Sequence, residues 1–173
     1  MRGMILSAMA LRATALGMMA GSAGSAKAEG CFGAGTPLFH CTLEQGAKTL
    51  DACLQGDVAT YRFGPAAGAA DLLLAQPVGQ VDMRPWPGVG RWLSEAAVFT
   101  NDGYAYRVSY AVDRLSDDPE VTGAVQVLRG DAPLAELPCD PGSVSVADLY
   151  PLFEAKEAAG QCWSRETQDW TGC

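Results

Sequence analysis

An Asp-Gly pair between two β-rich runs is the feature that most constrains the fold of this chain. The runs are Trp92 to Thr100 and Tyr104 to Asp113, and they flank Asn101-Asp102-Gly103. A two-residue turn at Asp102-Gly103 is a strong β-hairpin signal, and it fixes the register of both strands. The sequence therefore predicts an antiparallel hairpin around which the remaining strands are arranged.

This register sorts the side chains onto two faces, because successive residues of a strand point to opposite sides. One face is apolar apart from a single carboxylate, and its cross-strand pairs are Asn101 with Tyr104, Phe99 with Tyr106, Ala97 with Val108, Glu95 with Tyr110 and Leu93 with Val112. The opposite face is small and polar, with Ser94, Ala96, Val98, Arg107, Ser109 and Ala111. We predict that the core contains Leu93, Phe99, Tyr106, Val108 and Val112. We expect greater exposure for Ser94, Arg107 and Ser109.

Other short strands are predicted at close spacing, with turn signals between them. They are Leu38 to Leu43, Leu50 to Leu54, Val58 to Phe63, Val78 to Met83, and a second hairpin of Val121 to Leu128 with Ala132 to Leu137. The segment from Asp71 to Ala75 suits either a buried strand or one turn of helix. This pattern predicts a mainly β fold, a small antiparallel sandwich or barrel stapled by disulfides.

The C-terminal segment, residues 149–173, has a different pattern. Its helix signals are Asp148 as a cap, Pro151 in the first turn and Gly160 at the end. The predicted apolar side is formed by Leu149, Leu152 and Phe153, with Lys156 and Glu157 facing outward. Because this segment is too short for a core of its own, we predict an antiparallel β domain at 29–148 and a helical, cysteine-containing tail at 149–173 packed on it.

Residues 1–28 resemble a secretory signal peptide. They combine a short basic start, a middle rich in Ala, Leu, Met and Gly, and the small-x-small sequence Ala26-Lys27-Ala28. The mature chain is then expected to begin near Glu29 and to be periplasmic or secreted. Beyond this segment no apolar run is long enough for a membrane span.

The predicted mature chain is strongly acidic. The whole sequence has 12 basic and 20 acidic residues, and the leader contains three of the basic ones and none of the acidic ones, so 9 remain against 20, a formal net charge of −11. Such a surface repels nucleic acid and anionic lipid, and it attracts cationic partners.

All six cysteines follow the predicted leader, and no Cys-x-x-Cys occurs. An even number in an exported chain indicates a disulfide framework rather than a redox or zinc site. If a hairpin bends at Ala47 with the loop Gly46-Ala47-Lys48, Cys41 falls opposite Cys53, and this pair is predicted to be bridged. Pairing Cys31 with Cys139 and Cys162 with Cys173 then leaves no thiol over.

Signals for catalysis and for metal binding are weak. His40 is the only histidine, it faces Leu54 in the register above, and no Gly-x-Ser-x-Gly signature accompanies it, so a structural role is favoured. The acidic loop has the oxygen ligands that Ca²⁺ prefers, but its spacing does not match an EF-hand and is typical of a solvated turn; its acids are Asp113, Asp117, Asp118 and Glu120. No cofactor and no metal are predicted.

The loop at residues 83–92 is the best candidate for a binding surface. Arginine and tryptophan dominate binding hot spots, and prolines and glycines here shape the backbone. The predicted contact patch consists of Arg84, Trp86, Arg91 and Trp92. In the alternative interpretation, the two tryptophans plug the open end of the β domain, while the two arginines pair with acids such as Asp82 and Glu95.

Several short motifs resemble a group of uncharacterised exported bacterial proteins. They are Trp-Pro-Gly-Val-Gly-Arg at 86–91, Cys-Thr-Leu at 41–43, Val-Ala-Thr-Tyr at 58–61 and Cys-Asp-Pro-Gly at 139–142. The likeness covers residues 38–142 and implies no known activity. Size, export, acidity and a cysteine-stapled β domain are more distantly similar to bacterial inhibitors of C-type lysozyme. The Ser-Gly-x-x-Tyr motif and Thr-Lys-Gly loop of those inhibitors are absent from this sequence, so the similarity concerns the scaffold only.

Two functional hypotheses follow. The first is a non-catalytic, exported binding or inhibitor-like module that contacts a protein or glycan of the cell envelope through the loop at 83–92. The second is a small periplasmic hydrolase that uses carboxylates or His40 in a cleft. A cleft that contains His40 or two carboxylates with raised pKa values would favour the enzyme, whereas an exposed, convex loop around Trp86 would favour binding.

Overall fold

The structure, a computed structural model, describes Cys31 and residues 35–173. The predicted signal peptide at 1–28 lies outside the described residues. Within them the fold is mainly β, as predicted, and the sheets stack as a sandwich without closing into a barrel. No helix in the described part of the chain combines the length and apolar character needed to cross a membrane.

Twelve strands and one α-helix make up the described residues. In chain order they are β1 Thr36–Leu43, β2 Lys48–Gln55, β3 Val58–Gly64, β4 Leu72–Pro77, β5 Asp82–Arg84, β6 Trp92–Asn101, β7 Tyr104–Asp113, β8 Val121–Arg129, β9 Ala132–Pro138, β10 Val146–Ala147, α1 Tyr150–Ala158, β11 Gln161–Ser164 and β12 Asp169–Gly172. A 3-10 turn, Val78–Gln80, connects β4 to β5. The first sheet has the order β10-β1-β2-β3-β4 and the second β5-β6-β7-β8-β9, while β11 and β12 form a separate hairpin.

The central hairpin has the predicted turn and register. Asp102 and Gly103 have φ angles of 49° and 80°, the positive values that a two-residue hairpin turn of this type needs. All five predicted cross-strand pairs occur between β6 and β7, including Glu95 with Tyr110. The sequence signal was sufficient here because the turn itself fixes which residues face each other.

The predicted division into core and exposed residues holds with one difference. Phe99 and Val108 are fully buried, and the other three predicted core residues pack partly buried against the same core. On the opposite face Ser94 and Arg107 are exposed, and Ser109 is half-buried. However, Ala96 and Val98 on that face are only 9% exposed, and each has a long arginine directly opposite, Arg84 on β5 for Ala96 and Arg107 on β7 for Val98.

The β1–β2 hairpin differs from the prediction. Its loop is residues 44–47 and Leu43 pairs with Lys48, so Cys41 lies opposite Leu50 and not opposite Cys53. The chain turns earlier than predicted because Glu44, Gln45 and Gly46 all adopt positive φ angles of 55°, 60° and 85°. The resulting odd-numbered shift places Cys41 and Cys53 on opposite faces of the sheet.

The predicted Cys41–Cys53 bridge is therefore wrong, as is Cys31–Cys139. The disulfides are Cys31–Cys53, Cys41–Cys139 and Cys162–Cys173, of which the last was predicted. Cys41 faces the core between the sheets, where it reaches the cysteine that follows β9, whereas Cys53 points to the other face. Three disulfides indicate that the chain folds in an oxidising environment.

The Cys41–Cys139 bridge is reinforced by the neighbouring Asp140. The Asp140 carboxylate accepts hydrogen bonds from the Thr42 hydroxyl at 2.8 Å and from the backbone N–H groups of Gln45 and Gly46 at 2.9 and 2.8 Å. These bonds hold the positive-φ turn of the β1–β2 hairpin in place. The same bonds lower the pKa of Asp140, and the bond from the Gln45 backbone N–H has the largest effect.

Close approach of the two sheets requires a glycine in β8. A Cβ atom at Gly123 would lie 2.6 Å from Phe39 Cζ and 3.0 Å from Cys139 Sγ. Gly123 lies opposite Tyr110 and so faces the first sheet. The missing side chain makes room for the Phe39 ring beside the inter-sheet disulfide.

The helix α1 packs on the sandwich, but one of its residues lies opposite to the prediction. Leu149 and Leu152 are fully buried, and the Asp148 carboxylate accepts a hydrogen bond from the Tyr150 backbone N–H at the helix start. Lys156 was predicted to face outward, yet it is only 1% exposed. Its ammonium group is held by the backbone carbonyls of Val78 and Val81, at 3.1 and 2.6 Å, and burial lowers its pKa.

Candidate functional site

A cavity of about 600 Å³ lies between the loop that follows β5 and the C-terminal segment. Four aromatic side chains line it, and they come from three parts of the chain: Trp86 from the loop, Tyr150 and Phe153 from α1, and Trp163 from β11. Its polar lining residues are Glu95, Glu157, Arg165 and Gln168. We call this the aromatic cavity.

Contacts of the tail with β5 and the 3-10 turn set the shape of the aromatic cavity. The Trp170 indole N–H donates a 2.6 Å hydrogen bond to the Met83 carbonyl, and Gln161 donates one to the Gly79 carbonyl at 3.3 Å. The Lys156 ammonium group lies 4.7 Å from the centre of the Trp170 ring. These contacts fix the helix and the β11–β12 hairpin beside the end of the sandwich.

The aromatic rings of the tail form one connected cluster around Trp170. Its ring centre lies 5.0 Å from that of Phe153 and 5.5 Å from that of Trp163, both in tilted arrangements. Tyr150 stacks on Phe153 with a centroid distance of 6.1 Å and is itself 58% exposed. Such mutually packed rings form a rigid wall that loses little conformational entropy when a ligand binds.

Trp86 stands on the loop side of the aromatic cavity, and its ring is held in place. The Trp86 indole N–H donates to the Val89 carbonyl at 3.2 Å, and the Arg114 guanidinium lies 4.5 Å from the ring centre. Arg114 covers one face of the ring. The ring also lines the aromatic cavity, so part of its surface is open to a ligand.

Glu95 supplies a carboxylate on the sandwich side of the aromatic cavity. It is half-buried, and the Tyr110 hydroxyl directly across the β6–β7 pair donates a 2.7 Å hydrogen bond to it. Burial and this carboxylate raise the pKa of Tyr110, so the hydroxyl remains a donor at neutral pH. Among the described residues no basic side chain pairs with Glu95.

The other polar residues of the aromatic cavity are exposed at its rim. They are Glu157 on α1 and Arg165 and Gln168 in the β11–β12 turn, where the Gln168 amide bonds to the Arg165 carbonyl at 2.8 Å. Neither Glu157 nor Arg165 forms an ion pair within the described part of the chain. Both side chains are thus available to a ligand.

Of the four residues in the predicted contact patch, only Trp86 lines the aromatic cavity, where it is half-buried in a concave surface and not exposed on a convex loop. Arg84 pairs with Asp82 at 3.1 Å, and Arg91 binds both carboxylate oxygens of Asp113. The ion pair lowers the pKa of Asp113. Trp92 is 52% exposed on the outer face of the second sheet, so it does not plug the sandwich.

His40 lies in a buried polar network away from the aromatic cavity. It pairs with Asp51 across β1 and β2, not with Leu54 as predicted, because of the changed register of that hairpin. Its Nδ1 atom is 2.5 Å from Asp51 Oδ1, and Arg62 is 3.6 Å from the second carboxylate oxygen. His40 is 9% exposed and lines neither the aromatic cavity nor the cavity of similar volume beside Ser94 and Ser109.

The acidic loop does not gather its carboxylates into one site. Asp113 pairs with Arg91, and Glu120 accepts a hydrogen bond from the Gly142 backbone N–H at 3.0 Å. Within residues 35–173 and Cys31, no three histidine, cysteine or acidic residues are placed together to hold a metal ion.

Most residues of the aromatic cavity were not identified as a site from the sequence. The tail residues Tyr150, Phe153 and Trp163 are far from Trp86 in the chain, and no local pattern connects them. One signal was present: a segment too short for its own core contains four large aromatic residues, more than one helix face can bury. An excess of this kind indicates either docking onto another domain or a ligand surface.

No family model matches this chain, and comparison with curated proteins and with solved structures finds no similar protein. The resemblance drawn from the short motifs therefore remains a prediction. Two of those motifs form one structural unit here, because Cys41 is bonded to Cys139 and Thr42 to Asp140.

Proposed function

We propose that this chain is a non-catalytic, periplasmic or secreted binding or inhibitor-like module that contacts a protein or glycan of the cell envelope. The observation that carries the proposal is the aromatic cavity, in which side chains of the loop and of the tail converge on one concave surface. Ligand sites are typically concave and aromatic-lined, with a few polar groups to orient the ligand. The lining of this cavity fits that description.

The arrangement of the aromatic cavity supports binding better than hydrolysis. A hydrolase would need a nucleophile or a pair of carboxylates that titrate differently around a reacting bond. Glu95 accepts the Tyr110 hydrogen bond and Glu157 is exposed at the rim, and the histidine lies in a separate buried network. The lining of the cavity includes no histidine, serine or free cysteine beside these two carboxylates, which favours binding over hydrolysis.

The test is to immobilise the purified, disulfide-bonded protein and to challenge it with envelope glycans and with periplasmic proteins. Each retained ligand is identified, purified and measured again for binding. Tyr150→Ala changes a 58% exposed ring at the cavity rim, so we expect at least tenfold weaker binding with an unchanged fold.

Trp92→Ala is the matched control, because Trp92 is similarly exposed at 52% but does not line the aromatic cavity. We expect it to bind like the wild-type protein. If both substitutions weaken binding equally, or if neither weakens it, the cavity is not the binding site. Turnover of a retained glycan or peptide would instead support the hydrolase.

A further inference from the structure

The charged groups of the aromatic cavity point to the chemistry of its ligand. We infer that the cavity binds a basic side chain, lysine or arginine, of a partner protein or peptide. This inference rests on the proposed function, and it assigns the class of partner.

The carboxylate of Glu95 favours a positively charged ligand. It is half-buried beside aromatic rings, it receives one neutral hydrogen bond from Tyr110, and no basic side chain among the described residues pairs with it. A partly buried charge without an opposite charge is unfavourable, and an incoming ammonium or guanidinium group would compensate it. Glu157 at the rim adds a second negative charge.

The aromatic rings of the cavity also favour a positively charged ligand. A cation is attracted to the face of an aromatic ring, most strongly to that of tryptophan. Two rings at this end of the molecule already hold basic side chains, Arg114 on Trp86 at 4.5 Å and Lys156 on Trp170 at 4.7 Å. The remaining surfaces of Trp86 and Trp163 border the aromatic cavity and extend the same environment to a ligand.

Both the cavity lining and the whole chain have a negative formal net charge. The cavity contains two carboxylates against one guanidinium, that of Arg165, and the whole chain has a formal net charge of −8. A negative surface increases the local concentration of cationic partners and the rate at which they associate. A volume of about 600 Å³ accommodates a long basic side chain together with part of its backbone.

The experiment is an NMR titration that follows the indole N–H signals of Trp86 and Trp163. The probes are N-acetyl-lysine N-methylamide and its uncharged analogue, N-acetyl-norleucine N-methylamide. We expect saturable binding of the lysine probe, and at least tenfold weaker binding of norleucine, which has the same apolar stem without the charge. Equal affinity for the two probes would overturn the inference.

Two substitutions test the charges themselves. Glu95→Gln keeps an acceptor for the Tyr110 hydroxyl and removes the charge, so the affinity for the lysine probe should fall at least tenfold. Arg165→Ala removes the one positive charge of the cavity lining, so the affinity for the lysine probe should rise several-fold. If Arg165→Ala instead binds the lysine probe more weakly than the wild-type protein, the cavity selects a neutral or anionic group, contrary to the inference.

Controls keep each outcome interpretable. Glu154→Gln makes the same charge change on an exposed residue of α1 that does not line the cavity, and it should leave binding unchanged. If Glu95→Gln fails to fold, Glu157→Gln at the rim replaces it, and an unchanged affinity there would count against the inference.

Two further probes distinguish the sources of ligand. Binding of chitotriose without binding of the lysine probe would overturn the basic side chain but leave the proposed function intact. Binding of choline without the lysine probe would overturn the assignment to a protein or peptide partner. If the wild-type protein also retains no envelope protein or glycan, the proposed function fails together with this inference.

Discussion

The Lys156 ammonium group donates a 2.6 Å hydrogen bond to the backbone carbonyl of Val81, and this contact anchors the C-terminal helix to the sandwich. The helix and the hairpin after it supply three of the four aromatic walls of the cavity. Stability of this anchor and integrity of the cavity are therefore coupled.

We predict that Lys156→Met destabilises the protein by about 1–3 kcal/mol, because the buried carbonyls of Val78 and Val81 lose their donor. Lys48→Met is the matched control. Because Lys48 pairs with the exposed Asp71, its substitution should lower the free energy of unfolding by less than about 1 kcal/mol. Chemical denaturation measures both, and equal losses would contradict the anchoring role of Lys156.

The close approach of the sheets at Gly123 gives a second prediction. Gly123→Ala places a methyl group against the Phe39 ring and Cys139, and overpacking of this kind costs about 1–3 kcal/mol. The control is Gly172→Ala in β12, where an added Cβ atom would have no neighbour within 4 Å. Thermal unfolding should show a clear decrease in Tm for the first variant only.

The corrected disulfides predict different losses on removal. Cys41–Cys139 closes a separation of 98 residues, and in the chain-entropy model its removal costs about 4.7 kcal/mol. Cys162–Cys173 closes 11 residues, and its removal costs about 3 kcal/mol in the same model. Paired Cys→Ala variants, unfolded in denaturant, should follow this order, and the reverse order would show that strain or residual structure outweighs loop entropy.

The carboxylate of Asp140 predicts a decrease in stability in acid. Its pKa is lower in the folded chain than in the unfolded chain, so the folded state binds fewer protons than the unfolded one near pH 4. Its contribution is present above the unfolded pKa of about 3.9 and is lost as the pH falls through the folded value.

Asp140→Asn should therefore lower Tm at pH 7 and reduce the decrease in Tm between pH 5 and pH 2. Asp117→Asn in the exposed acidic loop is the control. The prediction fails if the two variants have the same pH profile of Tm.

The central hairpin was predictable because its information is local. An Asp-Gly turn accepts positive φ angles at both positions, and the alternation of side chains then determines the faces of both strands. The β1–β2 hairpin lacks such a signal. Its positive-φ residues Gln45 and Gly46 donate backbone hydrogen bonds to Asp140, which lies 95 residues beyond Gln45, so the register and the cysteine pairing depended on a long-range contact.

The candidate site was only partly predictable for the same reason. Trp86 was identified from the density of Trp, Arg, Pro and Gly in its loop, but its neighbours in the cavity come from the tail. The outward placement of Lys156 was predicted from a helical pattern, in which a lysine normally faces solvent. Only the tertiary structure shows that the backbone carbonyls of Val78 and Val81 bind its ammonium group.

The most direct test of the account is the affinity of Trp86→Ala for a ligand retained by the wild-type protein, measured together with its thermal unfolding. If Trp86 forms a wall of a binding cavity, affinity should weaken by about 1–3 kcal/mol, with little change in Tm. A core role predicts instead a loss of about 3–5 kcal/mol in stability. A strongly destabilised variant whose folded fraction binds with unchanged affinity would contradict the assignment of the aromatic cavity as the binding site.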